Sequence, residues 1–198
     1  MPAQRTLVVA AALGLLALLA PPVWAGQAAD DLVASIDRVL KLLDDPELKQ
    51  PARVEERRQA IRRFAGEVFD FEEIARHSLA RHWEARTRSE RDEFVQLLRE
   101  LLERSFIGRL DLYNGEQVVV LSEAIEGDSA IVKTHVVTRQ GADVIPVDYR
   151  MVRRGDHWRA CDVVIGGLSL VDNYRAQFDK IIQRASYAQL VKQVREKQ

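Results

Sequence analysis

Only one cysteine, Cys161, stands among the 198 residues, so no intrachain disulfide can brace the fold and stability has to come from packing. Net charge is nearly absent as well. The 29 Lys and Arg against 30 Asp and Glu give a formal charge of -1, which offers no electrostatic case for nucleic acid. The basic pairs Arg57-Arg58 and Arg62-Arg63 are interleaved with Glu55, Glu56 and Glu67, the pattern of solvated helix faces. Beyond the N-terminus no apolar run is long enough to span a membrane, and neither internal repeats nor low-complexity tracts occur.

The usual marks of chemistry are missing too. There are four histidines and no HExxH or paired Cys-His pattern; Glu73 and His77 share a helix face at i, i+4 but read as a surface ion-paired turn, so no metal is expected. His135 alternates with Lys133 on the outer face of a strand, where solvent exposure suffices. Cys161 lies mid-strand among apolar neighbours with no adjacent base, which makes an inert, buried thiol. Ser169 lacks the GxSxG context of a nucleophile, and no phosphate loop is present. Asp162 and Tyr149 could form an acid/base pair, yet strand alternation sets Asp162 on the face opposite Cys161 and Val163. No catalytic residue is assigned.

What is present begins with a leader. Arg5 precedes the apolar run Leu7 to Ala20, Pro21-Pro22 ends it, and Val23-Trp24-Ala25 fits cleavage after Ala25, so residues 1–25 read as a secretory signal peptide. Residues 26–198 are then expected to form a single domain. Leu32, Ile36, Val39, Leu40 and Leu43 mark one helical face, closed by Asp44-Asp45-Pro46. A second helix spans Val54 to Val68, and a third, capped by Asp70 with Glu73, carries Ile74, Leu79 and Trp83. Thr87 and Glu90 form a capping box for the strongest amphipathic stripe: Phe94, Leu97, Leu98, Leu101, Leu102, Phe106 and Leu110.

After Asn114-Gly115 the period changes to that of strands, at Val118 to Leu121, Ala130 to Thr138, Val144 to Arg153 and Trp158 to Ile165. The turns at Gly127-Asp128, Gln140-Gly141 and Gly155-Asp156 are too short for parallel crossovers, so the four strands make an antiparallel meander. On the third strand Ile145, Val147, Tyr149 and Met151 point one way, Asp148 and Arg150 the other. Gly166-Gly167 then turns the chain from strand into helix, Ser169 caps that helix, and Leu170, Tyr174, Phe178, Ile181 and Ile182 give it one apolar face. The class is α+β, with a helical N-terminal half, a curved four-stranded antiparallel sheet and a C-terminal helix.

The segment from Phe69-Asp70-Phe71 through Ala75-Arg76, then Trp83, Thr87, Phe94, Tyr113 and Pro146-Val147-Asp148-Tyr149-Arg150, resembles the MlaC family. These are periplasmic phospholipid-binding proteins, also called toluene-tolerance proteins. The most specific part is Asp162-Val163-Val164-Ile165, continuing through Gly167-Leu168-Ser169-Leu170-Val171 to Asn173-Tyr174-Arg175 and Gln177-Phe178. Gly166 stands where the family commonly has Glu, and Cys161 where it has Tyr.

The resemblance implies a nuclear-transport-factor-like cone with added helices, no cofactor, and a phospholipid as cargo. It implies a monomeric carrier that exchanges lipid between an outer-membrane lipoprotein complex and an inner-membrane ABC transporter, in the service of outer-membrane lipid asymmetry. Two acyl chains hold roughly 30 methylenes, and at about 0.8 kcal/mol each their exposure to water would cost on the order of 24 kcal/mol, so a carrier must bury them. With the family's chains lying between sheet and helices, the expected lining is Phe71, Leu98, Leu101, Val147, Tyr149, Val163, Ile165, Leu168, Tyr174 and Phe178. A hopanoid or sterol-like cargo, an enzyme in the same cone and a structural envelope adaptor stay open as alternatives.

Overall fold

Four hairpin-connected strands and six helices are seen in a computed structural model that describes residues 27–196 apart from 111–112, 114 and 139–143, with the side chains of 107–110 also left aside. The signal-peptide reading of residues 1–25, the Gln140-Gly141 turn and the Leu110 side chain lie outside that description.

Helix α1 (Gln27–Asp44) lays Ala28, Ala29 and Leu32 on the sheet residues Ala130, Val132, Met151 and Trp158. Two carboxylates fix its start. Glu123 accepts from the Ala29 backbone N–H at 2.8 Å, and Asp31 accepts from that of Trp158 at 2.8 Å. Helix α2 (Val54–Val68) follows a 3₁₀ turn at Pro51–Arg53 and ends where the Phe69-Asp70 backbone joins the sheet edge, Asp70 N–H donating to the Ala160 carbonyl at 2.9 Å. Asp70 then caps helix α3 (Phe71–Leu79), its side chain accepting from Glu73 N–H at 2.8 Å. That helix is shorter than the sequence reading. Ala80 adopts φ 46°, the chain tightens into a 3₁₀ turn at Ala80–His82, and Trp83 is buried beyond the helix instead of on it.

The Thr87–Glu90 capping box is present, with bonds of 2.7 Å and 3.2 Å, and starts helix α4 (Arg88–Leu110). The sheet runs β1 (Gln117–Glu126), β2 (Ser129–Val137), β3 (Val144–Arg154) and β4 (His157–Ile165), antiparallel in chain order. A two-residue strand, β5 (Leu168–Ser169), pairs with the end of β4 and extends the expected four strands to five. Bulges at Leu121 and Cys161 interrupt the registers; each inserts a residue, bends its strand and raises the local twist. At Cys161 the bulge also resets alternation. Ala160 pairs with Met151 and Val163 with Tyr149, so Val163 and Ile165 share the face of Val147 and Tyr149.

The C-terminal part holds two helices where one was expected. α5 (Leu170–Arg184) stops at Ala185, and Ser186 accepts from Gln189 N–H at 3.1 Å to begin α6 (Tyr187–Glu196). Residues of α3, α4, α5 and α6 form a second core, in which Phe94 meets the Phe178 ring edge-on at 5.6 Å. This helical layer stands beside the β4 edge, and the space between the two holds the candidate site.

Candidate functional site

The site grows from the Gly166-Gly167 turn. Ile165 pairs with Leu168 across it, and φ values of 57° and 85° are what a two-residue hairpin of primed type demands. An added Cβ at either glycine would meet nothing within 4 Å, so the requirement is conformational. The turn was expected to feed directly into a helix; instead it closes a short hairpin first, and Leu168 at its tip is 79% exposed.

A buried carboxylate ties this hairpin to α5. Asp162, 3% exposed, accepts from the Ser169 hydroxyl at 2.6 Å and from Val171 N–H at 3.0 Å, while Ser169 accepts from Asp172 N–H at 2.9 Å. Ser169 thus caps the helix as expected, and Asp162 caps it a second time from the strand. Arg150 reaches Asp162 at 3.3 Å and Asp172 at 3.8 Å through Nη1, and Arg175 pairs with Asp172 at 2.8 Å. Strand alternation could not reveal this clasp, because its members come from β3, β4, β5 and α5; an acid seven residues before a capping serine is the only local signal.

Beside the clasp lies a cavity of ≈ 1040 Å³, bounded by the second half of α4, the end of β4, the hairpin, α5 and α6. Arg150, Asp172 and Asn173 line it at the start of α5, Ser105, Gln177 and Gln193 add polar groups along α4, α5 and α6, and Phe106, Phe178, Ile181, Leu190 and Val194 supply apolar surface next to α4 and α6. Such a volume is at the upper end of small-ligand sites, about 300–1,000 Å³.

Six of the ten expected lining residues come together here: Leu101, Val163, Ile165, Leu168, Tyr174 and Phe178. The other four do not line it. Leu98 is fully buried in the helical core, and Phe71 packs against that core, because both face the interior of the helix layer. Val147 and Tyr149 sit one strand further in, opposite Ile165 and Val163 in the register. Tyr149 packs against the α1 cluster, where burial pushes its hydroxyl pKa up. Phe106, Ile181, Leu190 and Val194 were not among the expected residues. Phe106 and Ile181 were visible on their amphipathic faces, while the placement of Leu190 and Val194 depends on the α5–α6 break that Ser186 signals.

The titratable groups behave as packing dictates. Asp162 and Tyr149 are not brought together, since the carboxylate is held by Ser169 and Val171. Glu73 does form the ion-paired turn, bonding His77 at 3.0 Å as well as Arg76 and Arg154. Its pKa is lowered: burial opposes this, but the Arg76 and His77 contacts prevail. His135 is half-buried, more enclosed than the sequence suggested. Among the described residues no group of three or more His, Cys, Asp or Glu is arranged to hold a metal, and no helix is long and apolar enough to cross a membrane.

Cys161 is half-buried at the bulge, and its Sγ faces the Arg150 carbonyl at 3.4 Å. Burial first, and then the negative charges of Glu73, Asp162 and Asp70, push its pKa up to about 11. Against 9.0 for an ordinary cysteine, the thiolate fraction at pH 8 falls from roughly one in ten to about one in a thousand, so iodoacetamide should alkylate the native protein on the order of a hundredfold more slowly than the urea-unfolded chain. Equal rates in the two states would contradict this environment.

Comparison with known proteins places this geometry. A search of curated proteins finds no match. Among solved structures, a phospholipid-binding protein from Ralstonia solanacearum, in complex with a phospholipid, superposes with a TM-score of 0.74 at 22% identity, covering 87% of this chain and 97% of that one. The two share a fold of N-terminal helices, antiparallel sheet and C-terminal helices. The family model of the MlaC protein matches residues 34–196, nearly the whole described chain, and the protein therefore belongs to the MlaC family.

Proposed function

We propose that this protein is a periplasmic phospholipid carrier whose cavity between sheet edge and helices holds the acyl chains of one diacyl lipid. The observation that carries this reading is the ≈ 1040 Å³ cavity lined by Leu101, Phe106, Phe178, Ile181, Leu190 and Val194 among others. About 30 methylenes, each filling roughly the ~30 Å³ of a liquid water molecule, need on the order of 900 Å³. The phospholipid bound to the Ralstonia protein of the same fold supports the assignment.

Phe106, Ile181, Leu190 and Val194 would then contact the chains together with the six lining residues expected from sequence. Export by the N-terminal leader puts the carrier between two membranes, where an outer-membrane lipoprotein complex and an inner-membrane ABC transporter load and unload it. No covalent step is required. Lipid enters and leaves as helices and sheet open, and each partner biases that motion only by binding one state more tightly than the other.

A transfer assay tests the carrier activity. Adding the mature protein to donor vesicles with labelled phosphatidylethanolamine and unlabelled acceptors should raise the transfer rate at least tenfold over spontaneous exchange. A rate equal to that of an inert protein control, or acceleration confined to a sterol probe, would reject the phospholipid assignment.

A further inference from the structure

The charges at the cavity rim carry an inference about which lipid it takes, resting on the carrier reading above. Arg150 lines the cavity from β3 and Asp172 from the first turn of α5, 3.8 Å from each other, with Asn173 next to them. Arg175 pairs with Asp172 from the helix surface, and Asp162 balances Arg150 from below. Two arginines and two aspartates leave this rim with no net charge. A headgroup that is itself net negative gains nothing from such a field at long range, whereas one carrying both signs can match it charge for charge.

Arg150 approaches both aspartates through Nη1, and a guanidinium with five N–H donors can also donate to a phosphate oxygen. Arg150 and Asp172 are about half exposed, at 49% and 42%, and so reachable from the rim. Asp172 is acceptor-only when ionised, and with Asn173 it can take the N–H groups of a primary ammonium. Phe178 and Ile181 supply apolar lining further along α5, so chains laid against them set the headgroup at the start of α5.

We propose that Arg150 and Asp172 form a headgroup site that selects a zwitterionic phosphoethanolamine over an anionic phosphoglycerol. Arg150 holds the phosphate, Asp172 holds the ammonium, and the paired charges disfavour an uncompensated anion. The role is one of specificity, since the apolar chains supply the bulk of the binding.

The test loads the mature protein from vesicles with equimolar phosphatidylethanolamine and phosphatidylglycerol of identical chains, re-isolates it, and measures the bound ratio by mass spectrometry. The expected result is at least threefold enrichment of the ethanolamine lipid. Asp172→Asn should bring the ratio to parity or below, a shift in headgroup preference that a purely structural aspartate would not produce. Asn173→Lys, at an exposed position that tolerates substitution, should move the ratio the same way and keeps the idea testable if the first variant folds poorly. A wild-type ratio equal to that of the vesicles, or enrichment that survives both substitutions, would overturn the headgroup site while leaving the carrier reading intact. Re-isolated protein that carries neither lipid would overturn both.

Discussion

Val163→Glu is expected to strip the protein of lipid while leaving it folded. Val163 is half-buried on β4 and lines the cavity, so in the empty protein a carboxylate there can stay hydrated by cavity water. Once acyl chains enter, the same group must lose that water without a partner, a cost of several kcal/mol. A penalty of about 3 kcal/mol lowers affinity more than a hundredfold. Bound phosphorus per chain should fall below a tenth of wild type, with the melting temperature moving by only a few degrees. Val147→Glu provides the contrast: that side chain is 6% exposed and lies off the cavity, so its carboxylate would be buried in the fold itself and the melting temperature should collapse. Normal lipid content in Val163→Glu would remove β4 from the cavity wall that holds the chains.

The second large effect is expected at Asp162. Replacing it by Ala leaves the Val171 N–H and the Ser169 hydroxyl without their acceptor and Arg150 without its buried counter-charge. Losing the anchor of such a network costs about 3 kcal/mol, which at this size lowers the melting temperature by roughly 6–12 °C. Because the clasp fixes one wall of the cavity, lipid retention should fall as well. Asp162→Asn keeps an oxygen for Val171 N–H and should recover part of the stability. Thermal melts of the two variants check the ordering, and equal stability of Asp162→Ala and wild type would show that the clasp holds nothing.

These two residues also mark how far the sequence could be read. Val163, Ile165 and Tyr149 were expected together in the lining; the structure sets them on one face through a bulge at Cys161 that simple alternation does not contain, and only Val163 and Ile165 reach the cavity. A bulge inserts one unpaired residue and shifts the alternation partway along the strand, so a strict period of two cannot place both halves. The helices and hairpin turns were legible because their signals are local: Thr87 with Glu90, Asp70 with Glu73, and Gly127 and Gly155 at the turns.

The cavity was legible only in part. Apolar period tells which side of α4 faces inward but not which inward residues meet other side chains and which meet a void, so Leu98 and Leu101 look alike in sequence and part company in the structure. Val147 and Tyr149 were one strand out for the same reason. Gly166-Gly167 was read as a strand-to-helix junction; the added hairpin strand depends on pairing with Val164 and Ile165, which no local pattern encodes. The Asp162 clasp joins residues from four elements and is a tertiary fact.

Whether the cavity carries a diacyl phospholipid is decided by native mass spectrometry of gently purified mature protein. The expected spectrum is dominated by a species heavier than the bare chain by the mass of one diacyl phospholipid, which collisional activation releases as an intact lipid. A spectrum with only the bare chain, from repeated preparations that never met detergent, would contradict it.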